Sequence, residues 1–340
     1  MPQASTRSNT PERYRSKGGV MHDQATVAFK FNGRAGEYFA IWIVNLCLSV
    51  ITLGIYSAWA KVRRKRYFYG NTLLNDSAFE YLANPWAILK GRAIVVMAFL
   101  AYSLSNQVNP LIGLALVLLV LVVMPWVLVK ALRFNARNTA QRNVRFGFTG
   151  GYGRLLVAVV LPALAAIVTL GIAFPYFLYC KDRFIVENAA YGATRFGFHG
   201  TVGNYYGASF KVFLVGLGFL IGSVVSFGIG ALPLYLLARS YAIATMARLR
   251  WANTSLSEIR FACAWSAGGL FGLYFVNLIA VIGSFGLLVP WTAIRTAKYQ
   301  LEHLSLGPAS ALSGFVAASE AQVSALGDEA GEMLGFDFGL

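Results

Sequence analysis

The chain has 340 residues, 57% of them hydrophobic and only 13% charged, with a mean hydropathy of +0.58 and a formal net charge of +15. Soluble domains carry roughly 25% charged residues, so about half the charge that would cover a surface in water is missing. An ordinary cytosolic enzyme, a disordered regulator and a small disulfide scaffold are excluded, which leaves a polytopic membrane protein.

Residues 1–28 are polar and basic, without an apolar core or a cleavage site. They are expected to be a disordered segment rather than a signal peptide, and the termini lack lipidation patterns. Insertion then rests on internal helices. Seven apolar runs follow: Phe39–Ala60, Ala93–Ser105, Leu111–Val129, Leu155–Tyr179, Val212–Ile229, Leu232–Met246 and Leu270–Thr292. Most approach the 17–25 residues that one crossing requires. Residues 305–340 hold five acids, no Lys or Arg, and much Ala, Gly and Ser, and read as a solvated tail.

The chain repeats itself at an offset of 117 residues. Phe29-Lys30-Phe31-Asn32-Gly33 returns as Phe146-Gly147-Phe148-Thr149-Gly150, and Thr52-Leu53-Gly54-Ile55 as Thr169-Leu170-Gly171-Ile172. Arg64, Arg66, Asn71 and Arg133 map to Lys181, Arg183, Asn188 and Arg250 at the same spacing. The reading is two membrane repeats, 29–145 and 146–259, with a partial third at 260–304. A smaller module lies inside them: Asn71, Asn138, Asn188 and Asn253 each precede a phenylalanine by eight residues, at Phe79, Phe146, Phe196 and Phe261. The Asn suggests a turn with positive φ, and the alternating aromatics a short strand. Overall this is an all-α polytopic helical bundle with small strand-and-turn modules.

Phe31-Asn32-Gly33, Glu37-Tyr38-Phe39, Thr52-Leu53-Gly54-Ile55-Tyr56, Trp59, the Arg63–Tyr67 cluster and Asn71-Thr72 together resemble the YjgN-like bacterial inner-membrane proteins, a family without assigned function. The resemblance runs over roughly residues 25–305 and implies a multi-pass inner-membrane protein. It implies no catalytic residue, substrate or cofactor.

Two topologies compete. A simple seven-span path puts 12 Lys and Arg on one side and 15 on the other, without the asymmetry that cytoplasmic loops normally carry. A second path keeps every Asn–Phe module and the N-terminus on the cytoplasmic side and makes the first, fourth and seventh runs re-entrant. Its helix breaks fall at Thr52 and Gly54, at Thr169 and Gly171 with Pro175, and at Gly283 and Gly286 with Pro290. The charges favour the second path and the run lengths the first. The first path inverts successive repeats, an arrangement common in transporters.

Little chemistry is legible. Cys47, Cys180 and Cys263 are odd in number and far apart, and His22, His199 and His303 have no zinc spacing. Gly216–Gly222 has a phosphate-loop look but lies inside an apolar run, where close helix packing explains it. Glu37 and Arg239 sit near run ends, as interfacial or snorkelling groups do. Lys61, Arg63, Arg64, Lys65 and Arg66 form a juxtamembrane cluster that sets topology and meets anionic phospholipid headgroups. No enzyme, metal, cofactor or nucleic-acid partner is expected, and the oligomeric state is open. Two functions stand: a transporter or channel for a small solute, toward which the interrupted duplicated segments lean, and a structural or lipid-interacting envelope protein.

Overall fold

The computed structural model describes residues 26–311. His22, the expected N-terminal segment up to residue 25 and the acidic tail from residue 312 lie outside the described residues.

The expected all-α bundle is corrected: the strands close into a barrel. Ten antiparallel strands follow one another around it, β1 (Val27–Phe31), β2 (Thr72–Leu74), β3 (Ser77–Tyr81), β4 (Thr139–Gln141), β5 (Val144–Phe148), β6 (Ala189–Tyr191), β7 (Thr194–Phe198), β8 (Thr254–Leu256), β9 (Ile259–Cys263) and β10 (Leu304–Gly307), and β10 pairs with β1. The aromatic alternation read as isolated modules is the inner face of this sheet. Closure removes every free edge, so strands of three to five residues are held at both sides.

Five helix pairs are strung between the strands. They are α1 (Ala35–Ile51) with α2 (Ser57–Gly70), α3 (Pro85–Val108) with α4 (Pro110–Arg137), α5 (Tyr152–Val168) with α6 (Phe174–Glu187), α7 (Val202–Val225) with α8 (Ala231–Ala252), and α9 (Ala267–Gly283) with α10 (Val289–Glu302). A strand, a helix pair and a strand thus occur five times in the described chain. Two-residue turns such as Asn75-Asp76 and Arg142-Asn143, with positive φ at both positions, join the units at one rim. Every helix pair leaves from the other rim. The cuts expected at 145/146 and 259/260 therefore pass through β5 and β9, strands of the one barrel.

Asn71, Asn138, Asn188 and Asn253 are helix C-caps with φ near −95°, not positive-φ turn residues. Each side-chain Nδ2 donates to the carbonyl four residues back, on Tyr67, Phe134, Phe184 and Leu249, at 2.7–2.8 Å. Their own carbonyls accept the amides of Asn32, Leu82, Thr149 and His199 at 2.8–2.9 Å and so fasten each helix end to the strand beside it. The fifth unit does the same with His303. Its Nδ1 lies 2.8 Å from the Tyr299 carbonyl, which only accepts, so Nδ1 carries the proton. His303→Asn should keep the stability of the protein within about 0.5 kcal/mol, whereas His303→Ala should cost about 1 kcal/mol, read from thermal unfolding in mild detergent.

Just beyond β5, Gly150 lies under the Phe148 ring. A Cβ there would meet that ring at 2.5 and 2.9 Å and the Phe184 ring at 2.9 Å. Gly33 and Gly200 crowd Phe31 and Phe198 in the same way. Gly150→Ala should therefore cost roughly 1–3 kcal/mol by overpacking. Gly153→Ala, three residues on with open space around it, should be neutral or slightly stabilising. Equal unfolding midpoints for the two variants would remove the argument.

Candidate functional site

The barrel encloses a cavity of about 470 Å³. Each five-residue strand sends its central residue inward, so Phe29, Phe79, Phe146, Phe196 and Phe261 line it, one from each unit. The cross-strand partner of each is also a lining residue: Leu74, Gln141, Tyr191, Leu256 and Leu306. Neighbouring rings stand 6.1–6.3 Å apart at Phe29–Phe79, Phe79–Phe146 and Phe196–Phe261, a normal aromatic spacing. Tyr69, Trp251 and Leu301 close in at the helix rim, and Asn75 and Arg142 stand at the turn rim.

The polar groups in this wall are turned to the wall itself. Gln141 Nε2 reaches the carbonyls of Leu74 and Ser77 at 3.3 and 3.4 Å, the Tyr191 hydroxyl donates to the Gln141 carbonyl at 3.1 Å, and Arg142 donates to the Asn75 carbonyl at 2.9 Å. Outward positions on the same strands carry exposed Lys30, Glu80, Arg145, Arg195 and Arg260. The barrel thus has an apolar interior and a mostly basic exterior.

The basic cluster expected on residues 61–66 divides. Lys61, Arg63, Arg64 and Arg66 are exposed, and among the described residues the first three make no tie to the next unit. Lys65 donates to Asn135 Oδ1 at 2.7 Å and lies over the Tyr81 ring, and burial together with Lys61 and Arg64 lowers its pKa. Arg66 reaches the carbonyls of Tyr81 and Ala83 in the next unit. Arg133 repeats this reach, donating to the Gly150 carbonyl at 3.1 Å. Five residues before each cap there is a cation: Arg66, Arg133, Arg183, Arg248 and Lys298. The structural counterpart of Arg133 is therefore Arg248, two residues from the Arg250 that a constant 117-residue offset selects.

The helix breaks expected from sequence lie at the outer ends of the helix pairs. Thr52 and Gly54 sit between α1 and α2, Thr169 and Gly171 between α5 and α6, and Gly286 between α9 and α10; Gly283 is the last residue of α9. Pro175 and Pro290 are the second residues of α6 and α10, where a missing N–H is harmless. Four breaks share one construction that the sequence reading did not join together. Thr52, Thr169, Ser226 or Ser284 is followed by an apolar residue and a glycine, both with positive φ. The glycine amide donates five residues back at 2.7–2.8 Å, and the hydroxyl accepts the amide of the residue just before the next helix at 2.9–3.1 Å. The backbone amide donors at each tip are thus satisfied without water. The apolar residue, Leu53, Leu170, Phe227 or Phe285, is 94–98% exposed.

Among the described residues no three His, Cys, Asp or Glu side chains group as a metal site would. Cys263 is held above the usual thiol range by burial, and His199 Nε2 lies 2.9 Å from the Ser255 hydroxyl.

Three helices, Pro85–Ser105, Leu111–Arg137 and Val202–Val225, are long and apolar enough to cross a membrane. The chain is similar to the inner membrane protein YjgN of Salmonella typhimurium, 38% identical over 119 residues that make up 35% of this chain and 30% of that protein. It is 35% identical to inner membrane protein YjgN of Escherichia coli over 147 residues, 43% of this chain and 37% of the relative. The matched stretch thus spans less than two-fifths of these curated relatives. No solved structure matches. The family model described as a bacterial protein of unknown function (DUF898) covers residues 26–333, the whole barrel with its helix pairs, and the chain belongs to that YjgN-like family.

Proposed function

We propose that the protein is a lipid-interacting protein of the bacterial inner membrane, with its barrel at the headgroup surface and its five helix pairs inserted into the bilayer from that one side. One observation carries this reading. At three tips, those of Leu53, Leu170 and Phe285, a fully exposed Leu or Phe occupies left-handed backbone, where water would favour Gly or Asn on both steric and solvation grounds; Phe227 repeats the construction on the long α7–α8 pair, whose tip reaches the far interface. Hydrocarbon around the tip accounts for the apolar side chain, and the internally bonded turn suits a place without water. Exposed Lys61, Arg63 and Arg64 then lie at the height of anionic headgroups, on the cytoplasmic face if the usual charge rule applies.

The transport reading has less to support it. Alternating inverted repeats would send successive helix pairs to opposite sides, yet all five leave one rim. The barrel lumen offers a small polar solute no continuous polar path. A nitroxide placed at Leu170 or Phe285 in a chain freed of its cysteines tests the lipid reading in reconstituted vesicles. Oxygen should relax these labels far more than a water-soluble nickel chelate does; the opposite order would sink the proposal.

A further inference from the structure

We infer that the barrel lumen is a binding site for one aliphatic chain, taken end-on along the barrel axis. The inference deepens the lipid-interacting reading above by naming what the lumen itself would hold.

Four features select that class of ligand. The cavity, about 470 Å³, falls within the 300–1,000 Å³ of ordinary small-molecule sites. Its wall is mostly aromatic and aliphatic, with the ring of five phenylalanines at mid-height and Leu74, Leu256 and Leu306 paired to three of them. Apolar cavities of this kind stay dry and accept apolar guests, because water entering them finds no partners. The polar groups of Gln141, Tyr191 and Arg142 point their donors at carbonyls of the wall, which disfavours a sugar, nucleotide or amino acid at mid-lumen.

The shape is the second constraint. Lining residues run from Asn75 and Arg142 at the turn rim to Trp251 and Leu301 at the helix rim, over strands that rise at most roughly 17 Å. Ten strands make a wider barrel than the eight that side chains alone can fill, and the five inward phenylalanines take up part of that width at mid-height. A volume of about 470 Å³ spread along that rise leaves a long, narrow space, which suits a slender chain. Polarity is graded as well: the helix rim, facing the bilayer in the reading above, is apolar, and the turn rim is polar.

The same chain chemistry can come from a free fatty acid or from one tail of a bilayer phospholipid, so the test uses both. Full-length protein in vesicles is exposed to a long-chain fatty acid with a diazirine in its chain, or to a phosphatidylglycerol with the same group in one tail. Crosslinks are then mapped by peptide mass spectrometry. At least one probe should label β3, β5 or β7 at Phe79, Phe146 or Phe196. The arm that labels identifies the source: fatty acid alone means a free chain, and phosphatidylglycerol means a tail drawn from the membrane. Leu256→Trp, which fills the lumen, should lower that label at least five-fold and leave labelling near Leu53 and Phe227 unchanged. The map of the unsubstituted protein does not depend on that variant folding. Labelled tips with an unlabelled lumen for both probes would overturn the inference, whereas unlabelled tips would remove the membrane-seated reading instead.

Discussion

In a chain whose Cys47, Cys180 and Cys263 have been replaced, a single cysteine at Leu53, Leu170 or Phe285 should resist a membrane-impermeant maleimide added to either face. A cysteine at Asn109 or Gly230 should label only from the face opposite the barrel, and one at Asn143 or Ser257 only from the barrel face. The difference follows from helix length. Helices α3 and α4 have 24 and 28 residues and α7 and α8 have 24 and 22, so at 1.5 Å per residue each is roughly 33–42 Å long and can pass a hydrocarbon core of about 30 Å. Helices α1 and α2 have 17 and 14 residues, and Lys61 stands only eight residues from Leu53, about 12 Å along a helix. The α5–α6 and α9–α10 pairs are limited in the same way by Lys181 and Arg295. Carrying those charges deep enough for the tip to emerge would cost several kcal/mol each, so these three pairs should end inside the bilayer. Labelling of Leu53, Leu170 and Phe285 from the opposite face would overturn the half-depth arrangement. Labelling of Asn143 and Ser257 from different faces would overturn the common rim.

How much of this could be read from the chain differs from element to element. The helix breaks at Thr52–Gly54 and Thr169–Gly171 carry their own chemistry, a hydroxyl and a glycine around an apolar residue, and a local pattern shows them. The strands do not. Three-residue segments such as Thr72-Leu73-Leu74 and Ala189-Ala190-Tyr191 have no period long enough to detect, and they exist because closure with eight other strands satisfies their backbone. The barrel is therefore a non-local property. The Asn–Phe spacing was visible, but its meaning was misassigned: the Asn side chain bonds back to its own helix, not forward into a turn. The fifth unit shows in the sequence only as a partial third repeat at 260–304, because His303, whose Nδ1 donates as an Asn amide would, stands where the other units have Asn, and because the helix pairs are unequal in length. Phe29 to Phe79 is 50 residues, whereas Phe79 to Phe146 is 67. A search at one fixed offset finds every second unit and misses those between, so the 117-residue period is two units.

The lumen was within reach of the sequence only in part. Phe79, Phe146, Phe196 and Phe261 were singled out by spacing, and Phe29 by the repeat, yet nothing local indicates that all five face one another. The cation five residues before each cap was likewise present in the letters. Its role depends on the neighbouring unit, since Arg66 and Arg133 reach carbonyls at Ala83 and Gly150 that only the closed barrel brings near.

Tyr205→Phe should lower the stability of the protein by about 2–3 kcal/mol, the largest expected effect of removing one oxygen from this chain. Asp182 is buried on α6, and its Oδ2 accepts the Tyr205 hydroxyl at 2.9 Å across the junction with α7. Lys181 Nζ lies 3.4 Å from Oδ1 but makes no hydrogen bond to it, and that oxygen is without a hydrogen-bond partner. The Tyr205 hydroxyl thus supplies a hydrogen bond to an enclosed carboxylate whose other oxygen has none, and Phe would leave the charge with the lysine alone. Asp182→Asn removes the charge while keeping an acceptor for Tyr205, and should cost less than Tyr205→Phe. Asp182→Leu combined with Tyr205→Phe should recover part of the loss, because two apolar groups then meet where an unpaired charge stood. Unfolding midpoints in bicelles for Tyr205→Phe, Asp182→Leu and the pair give the coupling directly. A coupling above about 1 kcal/mol supports the pair as the buried tie between the third and fourth units. Simple additivity would mean that Asp182 is solvated by water reaching it from the barrel rim, and that the junction between these units is wetter than its packing implies.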